Sequence, residues 1–108
     1  MLERACPDCG FYAGAFDVAN TGAAIRDLAV RWASVLGRAD VARRPNLATW
    51  SPLEYGCHVR DVLRIFDHRL GLMIEQVEPR FENWDQDKTA IDDDYASQSA
   101  SVVADELS

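Results

Sequence analysis

Residues 50–63 read WSPLEYGCHVRDVL, and this stretch sets the fold class. Ser51, Pro52 and Glu54 make the clearest local signal in the chain. A serine at the cap can accept a backbone N–H of the first turn, and a glutamate three residues on can reach back to the cap's own N–H. Proline at the first helical position lacks only an N–H that the helix has no use for. A helix is therefore predicted from Pro52 to about Val77, where Pro79 forbids more. Its apolar residues, from Leu53 through Val59, Val62, Leu63, Ile65 and Phe66 to Leu70, Leu72, Met73 and Ile74, wrap much of the circumference. Such a helix needs cover on several sides.

Upstream, Ile25, Leu28, Ala29, Trp32, Val35 and Leu36 recur at helical spacing. They predict a first helix that begins after Asn20 or Thr21 and stops at Gly37. Residues 38–49 form a connector in which Pro45 blocks helix continuation. Downstream, residues 80–98 read as a long acidic loop, or a loop with a short helix near Thr89–Tyr95. A further helix opens after Ser99. Residues 1–20 are irregular and contain CPDCG (Cys6–Gly10). No strand shows convincing alternation, so the expected class is all-α, with an irregular segment at 1–20 and a helical unit at 21–108.

The chain has 108 residues and a formal net charge of −7, enough for a single domain. The charge is uneven: residues 1–74 hold nine Lys/Arg against eight Asp/Glu, and residues 75–108 hold two against ten. An acidic tail argues against nucleic acid and anionic membrane as partners, because both need a basic footprint. No apolar run has the length of a membrane span or of a signal peptide. A soluble cytoplasmic protein is expected, and its three cysteines are then thiols or ligands, not a disulfide framework.

Three constellations bear on chemistry. His58 sits on a helix, where little orientational freedom remains to be lost on binding a metal. Asp61 falls on nearly the same face, as a carboxylate for the imidazole or for an ion. Taken alone, His58 reads more readily as an ordinary buried or half-buried histidine than as a ligand. His68 lies about 15 Å farther along the axis, too far to share one ion. Cys6 and Cys9 form the second constellation, half of a tetrahedral zinc site with no second CxxC pair to complete it. Cys57 reads as core. The aspartates of residues 85–96 suggest calcium, but alanine stands where the loop needs glycine and glutamate. No glycine-rich phosphate loop and no Ser/His/Asp set is present in the sequence.

WSPLEYGCHVRDVLRIFDHRL together with NWDQDKTAIDDDY resembles the DinB/YfiT superfamily, in the branch with an N-terminal CPDCG-like turn. The resemblance runs from Cys6 onward. It implies an up-down four-helix bundle with zinc or nickel held by three histidines, the first of which maps onto His58. The other two come from a later helix, and this chain has no matching motif. By resemblance the protein is then a truncated bundle of two long helices and the start of a third. The resemblance also implies a thiol-dependent transferase or isomerase, or a hydrolase, whose metal lowers the pKa of a thiol or a water. Asp61, Trp84 and Asp85 would line its pocket. The alternatives are a non-catalytic helical module that self-associates as a homodimer or completes a partner, and a zinc-knuckle interaction protein built on Cys6 and Cys9.

Overall fold

The computed structural model describes residues 4–15 and 17–108. Of the N-terminal segment expected at 1–20, residues 1–3 and 16 lie outside the described residues. Among the described residues the chain is all-helical, with no strand. Four α-helices follow in order: α1 (Thr21–Leu36), α2 (Pro52–Glu75), α3 (Gln86–Asp92) and α4 (Ala100–Leu107). Short 3₁₀ turns occupy Ala13–Ala15, Val18–Asn20 and Tyr95–Ser97.

The start of α2 is built as its sequence dictates. The Ser51 side chain accepts the Glu54 N–H at 3.2 Å, and the Glu54 carboxylate accepts the Ser51 N–H at 3.1 Å. The same carboxylate takes two bonds from Arg44, at 2.7 and 2.6 Å. That anchors the 38–49 connector to the root of α2. The Leu53 N–H, free in the first turn, donates to the Val41 carbonyl at 2.9 Å. The helix ends at Glu75, two residues short of the expected Val77. Gln76 is already extended, and Glu78 lies in the left-handed region at φ +51°.

The expected short helix near Thr89–Tyr95 lies earlier in the chain. Asp85 accepts the Lys88 N–H at 3.1 Å and starts α3 at Gln86. Asp94, at φ +48°, leaves the right-handed helical region, so Tyr95 falls outside α3. Ser99 caps α4 as its sequence predicts.

The core lies where α1, α2, α4 and the Tyr95 turn meet. It holds Leu36, Leu53, Cys57, Tyr95, Val103 and Leu107, with Trp32, Val59 and Leu63 packed against it. Gly56 permits the close approach of α1 to α2: a Cβ there would stand 2.9 Å from a Leu36 methyl. The cover that α2 needs on several sides is present only along its first half. Farther on, Phe66, Leu70, Met73 and Ile74 are exposed, Ile74 to 78%. Among the described residues no helix is long and apolar enough to cross a membrane.

Candidate functional site

His58 is placed by the second turn of α2, half-buried and in contact with two tryptophans. Trp84, from the loop before α3, stacks on the imidazole with ring centroids 5.5 Å apart and planes 8° from parallel. Trp50, just before the α2 cap, also meets the ring, at 5.5 Å and 59°. Trp50 also makes edge contacts with Tyr55 and Tyr95. Trp84 is itself held by its indole N–H, which donates to Thr89 Oγ1 at 2.8 Å, and Thr89 in turn donates to the Asp85 carbonyl at 3.1 Å. The result is an aromatic clamp with one titratable ring at its centre. His58 Nδ1 is buried without a hydrogen-bond partner.

The other residues singled out from the sequence have separate positions. Asp61 is on the same helix as His58 but is not hydrogen-bonded to it. Its carboxylate accepts the Tyr95 hydroxyl and the Arg60 guanidinium, the latter at 3.0 Å. Asp85 serves as the α3 cap, adjacent in sequence to Trp84 but turned to the backbone. Cys57 is fully buried, its thiol directed at the Tyr95 carbonyl at 3.9 Å. Burial pushes that thiol up to about 11, so it is neither a nucleophile nor a ready ligand. Cys6 and Cys9 stay together at their own turn, half-buried and exposed respectively.

Sequence reasoning missed Arg60 and Tyr95. Arg60 is 6% exposed and bridges α2 to Gln98 at 2.7 Å and to Glu106 at 3.1 Å. Glu106 also pairs with Arg64. Burial, followed by the bond to Asp61, raises the Tyr95 phenol above its ordinary range, leaving it a hydrogen-bond donor. A buried arginine has no local sequence signature. Its partners lie 38 and 46 residues away.

A groove of about 500 Å³ is lined by Trp84 together with His68, Arg69, Leu72, Arg80 and Phe81 among others. Arg69 lies over the Phe66 and Phe81 rings and donates to the Glu82 carbonyl at 3.0 Å.

The donor set can be tested against the three-ligand metal that the resemblance implies. Among the described residues no three His, Cys, Asp or Glu side chains converge in a way that could hold an ion. His58 meets two indoles, and among the described residues no co-ligands join it. The residues of this chain alone therefore do not fit a resident three-histidine zinc or nickel centre. Neither models of protein families nor curated proteins nor solved structures give a match to the chain.

Proposed function

We propose that the chain is a DinB/YfiT-like helical module whose working form is an assembly, with a second copy covering the cleft between α1 and α4. The observation that carries this reading is the cleft. It measures about 530 Å³ and is walled by Ile25, Ala29, Val30, Ala33 and Leu107. It continues into a smaller recess of about 160 Å³, where Leu28, Trp32, Val59 and Leu63 join. In this proposal α1, α2 and α4 are three members of a bundle whose fourth position the second copy fills. An apolar face of this kind marks an interaction surface, and covering it contributes about 25 cal/mol for each Å² removed from water.

A binding and assembly role is favoured over catalysis by the chain alone. His58 lacks co-ligands, and Asp61 is occupied by Tyr95 and Arg60. The metal-dependent transferase, isomerase or hydrolase reading belongs to a form in which further ligands reach His58.

Light scattering across a concentration series tests the proposal. The expected result is a dimer for the native chain and a monomer of unchanged helicity for Leu28→Glu combined with Val30→Glu. A native chain that stays monomeric throughout overturns it. Loss of bound zinc or nickel on His58→Ala would reinstate the metal-enzyme reading.

A further inference from the structure

We infer that Cys6 and Cys9 form half of a zinc site, completed by the same two cysteines of a second copy of the chain. The turn is shaped before any metal arrives. The Cys6 N–H donates to the Phe11 carbonyl at 2.7 Å, and the Gly10 N–H donates to the Cys6 carbonyl at 2.8 Å. Gly10 adopts φ +77°, a conformation glycine enters at little cost. It folds the chain back directly after Cys9. Both thiols then sit on one tight loop at the surface.

Thiolate is the form that ligates a metal. Zinc in a structural site takes four ligands in a tetrahedron, and the described residues offer no others nearby. The third cysteine, Cys57, is sealed in the core. His58 is packed against two indoles. Among the described residues no third ligand joins the pair. An exposed, preshaped pair on each of two chains supplies the missing two sulfurs. Binding forms four Zn–S bonds, and the thiol protons leave to solvent.

This site is separate from the α1–α4 cleft, and its test is separable too. Reduced full-length chain is titrated with zinc alone while metal uptake and molar mass are followed. Uptake of about one zinc per two chains, with a doubling of mass that a chelator reverses, is expected. Cobalt(II) in place of zinc should give the intense visible bands of a tetrahedral tetrathiolate site. Cys6→Ser and Cys9→Ser should each abolish uptake and doubling. Both residues are outside the core, so circular dichroism should be unchanged. His58→Ala should leave uptake as it was, and the Leu28→Glu/Val30→Glu chain should still double with zinc. No uptake, a one-to-one complex without doubling, or uptake that survives Cys6→Ser would each overturn the inference. An assembly that persists in chelator and in Cys6→Ser reports on the cleft alone.

Discussion

Arg44 and Glu54 show how one pair can organise a connector. Glu54 is buried, yet Arg44 holds its carboxyl below the ordinary carboxylate range, against the opposing effect of burial. A carboxyl lowered in the fold contributes stability that is fully present above its unfolded pKa. That contribution is lost as pH falls through the lowered folded value. Arg44→Ala leaves a buried carboxylate short of two bonds, and should cost about 2 kcal/mol at neutral pH. The gap between native chain and variant should narrow on acidification, as both approach a protonated Glu54. Urea unfolding at neutral and acidic pH measures both effects, and a gap that widens in acid would contradict this assignment. The identity of Glu54 as a capping residue was legible from Ser51-Pro52-Leu53-Glu54. Its second partner was not, because nothing in the spacing of Arg44 and Glu54 forces the connector to fold back on the helix.

At the scale of elements, α1 and α2 were readable because their starts carry local chemistry and their apolar positions repeat. The observed α1 runs Thr21–Leu36 and α2 begins at Pro52, where the sequence puts them. The region after α2 was harder. Asp85 is one of six aspartates between residues 85 and 105, and local pattern does not say which of them caps a helix. The left-handed Asp94 that frees Tyr95 for the core is equally silent in sequence, since glycine is the residue that normally marks such a bend. Of the site, His58 was visible as an isolated imidazole and Trp84 only by resemblance. Their stacking depends on a loop folding back over α2, a tertiary event. The α1–α2 seam supplies a prediction at this scale. Gly56 leaves no room for a branched side chain against Leu36, which is itself buried. Gly56→Val should therefore cost about 2 kcal/mol through overpacking, beyond any gain in helix propensity. Thermal unfolding checks this, and an unchanged midpoint would mean that the helices separate freely.

In the whole molecule, two kinds of surface are set apart. The first half of α2 is enclosed by α1, α4 and the Tyr95 turn, and a buried arginine links the layers. The second half of α2 and the outer wall of α1 present apolar side chains to solvent. The acidic excess belongs to residues 75–108, which include α4 packed beside α1. A molecule with net charge −7 repels its copies at long range. Association through the α1–α4 cleft should therefore strengthen as salt rises, the opposite of an ion-paired interface. Sedimentation at low and high ionic strength reads this directly, and weaker association at high salt would count against an apolar contact.

The parallel stack of His58 on Trp84 also makes the molecule its own optical gauge. An imidazole in contact with an excited indole alters its emission. Two of the three tryptophans meet this one ring. Intrinsic fluorescence should thus change in His58→Gln while helicity stays level. Any ion or ligand that reaches the clamp will announce itself in the same signal, with no label attached.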